Sequence, residues 1–328
     1  MLADITRLVR WGSSKAVPSR DKDEEDLLTV YTPQLRVADA MSFLKAEGED
    51  AEQTDGKIVD ETIRLLEKHQ DEPFFIAAGL YRPHIPYIAP KRYFELYDIY
   101  DKPLPSLPPD YRDRVPAAAL TSTPEWPNFG TTELEARECI LAYDACVTFV
   151  DTQIGRLLAA VDRLGLRDNT IIVLWGDHGY HLGEHDMWSK VSVHKESAQV
   201  PLIIHVPGKK PAICHSFAEL LDLYPTVSSL CAMKVPGNLQ GKNVSALLDN
   251  PALKVRDAVL CSGKGMLYRE EKWAYIHYGK SGELFDMKKD PKQYNNLIND
   301  PKYAKVLSVM KEKLKRKLSK IQKNDLGE

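Results

Sequence analysis

The chain has 328 residues, of which 43% are hydrophobic and 28% charged, and its mean hydropathy is −0.36. A chain of this length exceeds the size that one compact core usually serves, so one large domain and a smaller one are expected. The 44 basic and 47 acidic residues leave a net charge of −3, which gives no global electrostatic reason to bind nucleic acid. No apolar run approaches the ~18 residues of a membrane helix, so no transmembrane segment is predicted.

The amino-terminal half contains few clear periodic segments. Residues 1–56 are polar and acidic without a sustained period, which predicts mostly loop. From Asp55 to His69 apolar residues recur at helical spacing, and the apolar run Phe74–Leu80 predicts a buried strand. Ten prolines between Arg82 and Pro127 exclude long helices there and indicate an extended excursion.

The middle of the chain alternates helices with apolar strands. Three-and-four spacing predicts an amphipathic helix from about Thr132 to Leu164, followed by a strand at Thr170–Asp177. A further strand is predicted at Val200–Gly208, and a helix from about Phe217 to Met233. This alternation favours an α/β sandwich around a largely parallel central sheet.

The last part of the chain has a different predicted secondary structure. After Pro251 the sequence shows short alternating strands with a hairpin turn at 270–272, and then a helix from about Tyr303 to Gln322. We therefore predict a partial catalytic domain at residues 1–254 and a small α+β subdomain at 255–328. The final helix is basic and amphipathic, and docking through its apolar stripe is favoured over membrane binding.

The segment WGDHGYHLGEHDMWSK, residues 175–190, holds the densest cluster of ionisable side chains. Asp177 and His178 stand where the predicted strand runs out into a glycine-rich loop, and open α/β sheets bind ligands at such strand ends. Carboxylates suit calcium or magnesium and imidazoles suit zinc, so the residue types alone leave the metal open. The alternative interpretation is a polar surface loop without a ligand.

Two further side chains are candidates for contact with an anionic substrate. Lys190 closes the loop, and its ammonium group is suited to an ester oxygen or a leaving group, although an ordinary surface lysine fits the spacing as well. His84 lies between two prolines in RPHIPY, after the predicted strand Phe74–Leu80. A satisfied structural imidazole is its alternative interpretation.

Several segments together resemble the sulfatase family of the alkaline phosphatase superfamily. The motifs RPHIPY and GDHGYHLGEHDMWSK most resemble its iduronate-2-sulfatase-like and choline-sulfatase-like branch. The resemblance runs from about Gly56 to Leu297. It implies an alkaline-phosphatase-like sandwich, calcium ligands at Asp177 and His178, and sulfate contacts from Lys190 and His84. It does not single out His181 or His185 as ligands.

The family's nucleophile has no counterpart in this sequence. Family members oxidise the first residue of C/S-x-P-x-R to formylglycine, and the nearest segments, at residues 16–20, 106–110 and 122–126, lack either that residue or the arginine. The family's paired aspartates on the first strand are also unmatched before Gly56. The expectation is an amino-terminally truncated chain in which the first strands are missing and an exposed sheet edge favours oligomers.

Three functions follow as hypotheses. The first is a fragment of a calcium-dependent sulfuric ester hydrolase acting on a sulfated sugar or small sulfate ester, inactive alone because the formylglycine motif is absent. The second is a phosphate or phosphonate ester hydrolase of the same superfamily. The third is a non-catalytic remnant that acts as an interaction module. The resemblance implies a periplasmic or secreted location for an intact member, while the location of this chain stays unassigned.

Overall fold

The computed structural model describes residues 41–120 and 130–321. The chain divides into two compact units, whose described parts are residues 41–104 with 130–170, and residues 105–120 with 171–321. The predicted boundary between residues 254 and 255 lies inside the second unit and stays a prediction about domain organisation. The expectations for residues 1–40, for the prolines after residue 120 and for the helix end at Gln322 lie outside the described residues.

The first unit combines one parallel strand pair with two long helices. Strand β1 (Phe43–Ala46) pairs in parallel with β2 (Tyr87–Pro90). Helix α1 (Thr54–His69) and helix α2 (Glu133–Arg163) confirm the periodicity of the sequence. Helix α2 begins at a capping box, in which the hydroxyl of Thr132 and the carboxylate of Glu135 each accept a hydrogen bond from the other's backbone N–H. Single helical turns occupy Asp50–Glu52, Lys91–Phe94, Ile99–Asp101 and Arg167–Asn169.

Two predictions for the first unit were wrong. The run Phe74–Leu80 forms no strand, and the phenyl ring of Phe75 is 77% exposed. Apolar composition alone does not make a strand, because a strand needs a neighbour for its backbone hydrogen bonds and none pairs with this run among the described residues. Conversely, β1 lies in a segment predicted to be mostly loop, since its four residues are too few to show a period.

The second unit begins with two small antiparallel pairs. Strand β3 (Ile172–Trp175) pairs with β6 (Leu202–His205), and β4 (His181–Leu182) pairs with β5 (Trp188–Ser189). Strands β3 and β6 were both predicted, but they pair antiparallel. Within the described residues the expected parallel pairing holds for β1 and β2. Short helical segments are Tyr111–Arg114, Ala117–Ala119, Lys195–Ala198 and Ser245–Leu248.

The helix predicted at residues 217–233 is shorter than expected. A 3-10 turn at Leu220–Asp222 leads into α3 (Leu223–Leu230). The side chains of Glu219 and Asp222 form a capping box at this turn, and Arg256 forms ion pairs with both carboxylates. These contacts set the start of the helix. The apolar pattern could not locate that start, because the pattern already begins at Phe217.

The carboxyl-terminal part confirms the predicted small α+β unit. Strands β7 (Ala258–Ser262), β8 (Met266–Glu270), β9 (Trp273–Tyr278) and β10 (Ser281–Asp286) form an antiparallel meander in the order β10-β9-β8-β7. After the 3-10 turn Pro301–Tyr303, helix α4 (Ala304–Ile321) buries Met310 and Leu314 against the sheet. The helix therefore docks through its apolar stripe, as predicted.

The exposed part of β3 and β6 is apolar. Trp175 is 48% exposed and Ile203 is 60% exposed. Oligomers through an exposed sheet edge stay a prediction. None of the helices within residues 41–120 and 130–321 has the length and apolar composition to cross a membrane.

Candidate functional site

Asp177 and His178 lie directly after β3, at the end of the strand. The Asp177 carboxylate is 83% exposed, and its Oδ1 accepts a hydrogen bond of 2.9 Å from the backbone N–H of His178. The His178 Nδ1 lies 2.9 Å from the carbonyl oxygen of Gly179, which makes Nδ1 the protonated nitrogen and leaves Nε2 a lone pair. His178 Nε2 is 3.6 Å from Asp177 Oδ2. A carboxylate oxygen and an imidazole lone pair therefore share one small region of surface.

Close backbone packing holds this pair in place. The N–H of Gly179 donates to the carbonyl oxygen of Ser197 at 2.8 Å, and the N–H of Gly176 donates to that of Pro201 at 3.3 Å. A Cβ atom on Gly179 would stand 2.0 Å from the carbonyl oxygen of Glu196, which is backbone and cannot yield. Glycine at position 179 is thus required by the approach of residues 196–201 to the strand end.

Lys190 is carried by the small β4–β5 hairpin. Its carbonyl oxygen accepts hydrogen bonds from the Ser197 hydroxyl and from the N–H of Ser192, while Trp188, two residues earlier, is 1% exposed. The Lys190 side chain is half-buried and forms no ion pair with any residue of the described ranges. Its backbone is fixed and its ammonium group is uncommitted, which is the arrangement expected of an anion contact.

The turn of this hairpin is strained. His185, Asp186 and Ser189 have positive φ values of 59°, 58° and 75°, a region that residues with a Cβ avoid. Asp186 Oδ2 accepts a hydrogen bond of 2.5 Å from Arg112, which helps to keep this conformation. The buried side chains beneath the turn also help to keep this conformation.

Three buried histidines form the floor of the loop. His181, His185 and His194 are each at most 1% exposed, and the rings of His185 and His194 stack with centroids 4.2 Å apart. His181 Nε2 lies 2.7 Å from the Ser192 hydroxyl, and His194 Nε2 lies 3.0 Å from Glu283 Oε2. We call His181, His185, His194 and Glu283 the histidine floor.

The contacts of His185 fix it from both sides. The Tyr111 hydroxyl lies 2.5 Å from its Nδ1, and Glu196 Oε2 lies 3.2 Å from its Nε2. Burial lowers the pKa of His181 to about 3 and also lowers the pKa of His185, with the neighbouring His194 adding to that effect. The rings of the histidine floor face the protein interior rather than solvent, and each has one nitrogen that bonds to a protein group. His181 Nδ1, His185 Nε2 and His194 Nδ1 have no hydrogen-bond partner among the described residues.

His84 belongs to the first unit and is described within it. Its Nδ1 lies 2.7 Å from the carbonyl oxygen of Ile85, and its ring packs on Tyr81 with centroids 4.9 Å apart. Arg82 donates to the carbonyl oxygens of His84 and Pro86 at 2.9 and 2.8 Å. The segment is thus held rigid, as its prolines indicate, and the imidazole is half-buried.

The structure brings together part of the predicted site. Asp177, His178 and Lys190 belong to the second unit and are anchored on the same segment, residues 196–201 for the pair and Ser197 for Lys190. Among residues 41–120 and 130–321 no group of three or more His, Cys, Asp or Glu side chains has the geometry to hold a metal ion. The roles of Glu196 and Glu283 were not predicted. Glu283 left no local pattern in the sequence, because it contacts His194 from 89 residues further along the chain.

An α/β fold with an aspartate–histidine pair at a strand end, a lysine on the next loop and a small antiparallel subdomain is typical of alkaline-phosphatase-like hydrolases. Within that class, the model of the family described as Sulfatase matches residues 10–233. A second model, described as N-sulphoglucosamine sulphohydrolase, C-terminal, matches residues 183–320. The chain belongs to the sulfatase family.

Individual relatives agree with this assignment. A sulfatase of Formosa agariphila is 30% identical over 269 residues, covering 78% of this chain and 52% of that protein. Iduronate 2-sulfatase of Mus musculus is 34% identical over 56% of this chain and 40% of its own length, and choline-sulfatase of Rhizobium meliloti is 28% identical over 73% and 49%. The chain spans about half the length of the curated relatives it matches.

A solved structure confirms the fold. The phosphonate monoester hydrolase SpPMH from Silicibacter pomeroyi superimposes with a TM-score of 0.79 at 21% identity, covering 94% of this chain and 68% of that one. The predicted α/β class with a small carboxyl-terminal subdomain is thereby confirmed.

Proposed function

We propose that this chain belongs to a calcium-dependent sulfuric ester hydrolase that acts on a sulfated sugar or a small sulfate ester. The observation that supports this most is the anchored strand-end pair Asp177 and His178, with the uncommitted Lys190 on the following hairpin. Membership of the sulfatase family supports the ester, and relatives such as iduronate 2-sulfatase and choline-sulfatase support sulfate as the group removed.

The donor set fits part of a calcium site. Asp177 offers an exposed carboxylate oxygen, the ligand type that calcium prefers, and His178 offers the lone pair of Nε2. Calcium takes six to eight ligands, so this pair fits as two members of a larger shell and by itself binds the ion weakly. When bound, the ion supplies charge neutralisation for the ester oxygens.

Lys190 and His84 are proposed to contact the sulfate group. An ammonium ion is a compact charge that suits a sulfate oxygen, and the fixed backbone of Lys190 limits the volume that its side chain searches. His84 donates through Nδ1 to Ile85, so that its ring orientation is set before any substrate arrives.

A phosphonate or phosphate ester hydrolase is the second candidate function. The fold likeness to the Silicibacter pomeroyi phosphonate monoester hydrolase favours it, because the same scaffold carries that reaction. A phosphonate and a sulfate both present anionic oxygens to a metal and a lysine, so Asp177, His178 and Lys190 suit either ester.

The metal-ligand role is tested by terbium luminescence, with Trp175 as the sensitiser two residues from Asp177. We expect weak saturable binding by the chain, with an apparent dissociation constant of about 10⁻⁴–10⁻³ M, the weak end of the range that ligand charge count and site rigidity set for protein calcium sites. Asp177→Asn and His178→Gln should each weaken binding at least about fivefold, and excess calcium should compete. The matched control is Asp168→Asn, an exposed aspartate on a helical turn. Equal luminescence in Asp177→Asn and the control would refute the role.

Turnover tests the absence of a nucleophile. No cysteine or serine of this sequence stands in a C/S-x-P-x-R motif, so we expect no hydrolysis of nitrophenyl sulfate by the purified chain with calcium. Hydrolysis that disappears in Asp177→Ala would contradict this expectation and show that the chain contains a working nucleophile. Nitrophenyl phenylphosphonate is assayed alongside, and turnover of that ester alone would favour the second candidate.

A further inference from the structure

A second feature of the second unit is a groove between helix α4 and the turn that joins β9 to β10. Its volume is about 1000 Å³, and residues 113–116, Asn296, Ile298 and Asn299 also line it. A smaller cavity of about 360 Å³ continues it and shares Ile298, Asn299, Leu307 and Lys311. The combined space is large enough for several sugar rings and lies outside the loop that carries Asp177 and Lys190.

The groove is basic, and its lysines are unpaired. Lys280, Lys311 and Lys315 line it, and none of them forms an ion pair within the described part of the chain. The neighbouring cations of the same helix differ, since Lys313 pairs with Glu270 and Arg316 pairs with Glu312. Lys311 and Lys315 are one helical turn apart, about 6 Å along the axis, and project on the same side.

Acidic groups offset only part of this charge. Asp113 lines the groove and Asp300 lines the smaller cavity, where its carboxylate accepts from the N–H of Lys302. Arg114 also lines the groove and already pairs with Asp110. Three uncommitted ammonium groups therefore face one uncommitted carboxylate, and the groove attracts anions although the chain as a whole is acidic.

Neutral groups in the groove suit hydroxyl-rich ligands. Asn299 and Ser281 line it and add amide and hydroxyl groups beside the lysines. The apolar side chains of Leu307, Leu318 and Ile298 provide a surface for the C–H faces of sugar rings. Alternating charge, hydroxyl-bonding and apolar contacts match a chain of anionic sugars better than a simple ion.

Nucleic acid and membrane fit the groove less well. Base stacking needs an exposed aromatic face, whereas Tyr275 is 2% exposed and the half-buried ring of His277 lies with its Nδ1 3.2 Å from the Tyr275 hydroxyl. Membrane binding by a basic helix needs a free apolar stripe, but α4 buries Met310 and Leu314 in the subdomain.

We infer that this groove binds a sulfated oligosaccharide, as a subsite for saccharide units away from the reacting ester. The choice of a sulfated sugar over other anions rests on the proposed function. The binding itself needs neither metal nor the strand-end pair, so it is measurable with both removed.

The test is a titration of the chain with a sulfated glucosamine–uronate hexasaccharide in the presence of a chelator. In Lys280→Gln/Lys311→Gln/Lys315→Gln we expect the affinity to fall about tenfold, since exposed ion pairs contribute modestly and three are lost, with a shallower dependence on salt. The matched control is Lys305→Gln/Lys317→Gln/Lys320→Gln, which removes the same charge from positions of α4 that do not line the groove. Equal loss in the two triple variants would overturn the inference, because the binding would then follow net charge.

Two further arms define the ligand. The desulfated hexasaccharide should bind at least about tenfold more weakly, and equal binding would overturn the assignment to sulfate. A single-stranded oligonucleotide of equal charge should bind more weakly than the sulfated sugar, and tighter binding that depends on the same three lysines would also overturn it. The hexasaccharide titration with a chelator reports on the three groove lysines and terbium luminescence reports on Asp177, so failure of the catalytic proposal and failure of this one are distinguishable.

Discussion

Glu283→Ala is expected to lower the free energy of unfolding by about 3–5 kcal/mol, the range measured when one partner of a buried polar pair is removed. Glu283 is fully buried, and its Oε2 lies 3.0 Å from His194 Nε2 and accepts from the Tyr278 hydroxyl at 3.0 Å. Without this carboxylate both groups lose their partner in a region that water does not reach. The rings of His194 and His185 are stacked, so the loss extends to the hairpin that carries Lys190.

The measurement is urea unfolding followed by the fluorescence of the five tryptophans, one of which is Trp188, buried in the hairpin. Glu283→Gln keeps a side-chain acceptor for Tyr278 and should cost less than the alanine variant. Glu312→Ala, at an exposed ion pair on α4, is the matched control and should change stability by no more than about 0.5 kcal/mol. A loss below about 1 kcal/mol in Glu283→Ala would mean that the histidine floor does not stabilise the unit.

Acidification should destabilise the second unit well before its carboxylates titrate. Burial lowers the pKa of His181 from its usual 6.5 to about 3 and also lowers that of His185. Below pH 6.5 the unfolded chain binds protons at these positions and the folded chain does not, so stability is complete above pH 6.5 and is lost as the pH falls toward 3. Each such histidine contributes up to about 1.4 kcal/mol per pH unit in that window.

The pH prediction is checked by urea unfolding between pH 7.5 and 5.5. Burial raises the pKa of Glu184, which acts in the opposite direction, so the wild type is compared with a variant that keeps Glu184. His181→Gln should reduce the slope of stability against pH by about one proton, whereas His215→Gln, at an exposed position, should leave it unchanged. An identical slope in the wild type and in His181→Gln would show that this imidazole is not held neutral by burial.

The candidate site could be located from the sequence only in part. Asp177, His178 and Lys190 stand within 14 residues of one another, and the family resemblance of that segment named them as candidates, whose roles stay predictions. The residue types could not separate His178 from His181 and His185, because the three histidines occur in one glycine-rich loop and the sequence does not show which of them are buried. Burial separates them: His178 is 34% exposed at its side chain, whereas His181 and His185 are interior.

Long helices and the meander were predictable because their signals are local. Helices α1, α2 and α4 carry their apolar faces at helical spacing, and the hairpin turn at residues 270–272 separates two alternating runs. The run Phe74–Leu80 was misjudged because its outcome depends on a neighbouring strand, and the antiparallel pairing of β3 with β6 depends on chain direction rather than composition.

The sequence by itself determined the family, through several segments that resemble the sulfatases, and the α/β class, through helices that alternate with apolar strands. The roles of Asp177, His178 and Lys190 stay predictions, and only the tertiary structure decided which side chains support the loop that carries them. Glu283 reaches His194 across 89 residues and Tyr111 reaches His185 across 74, and contacts so distant along the chain leave no periodic trace. The basic groove was also invisible in the sequence, since it requires α4, the β9–β10 turn and residues 113–116 to meet.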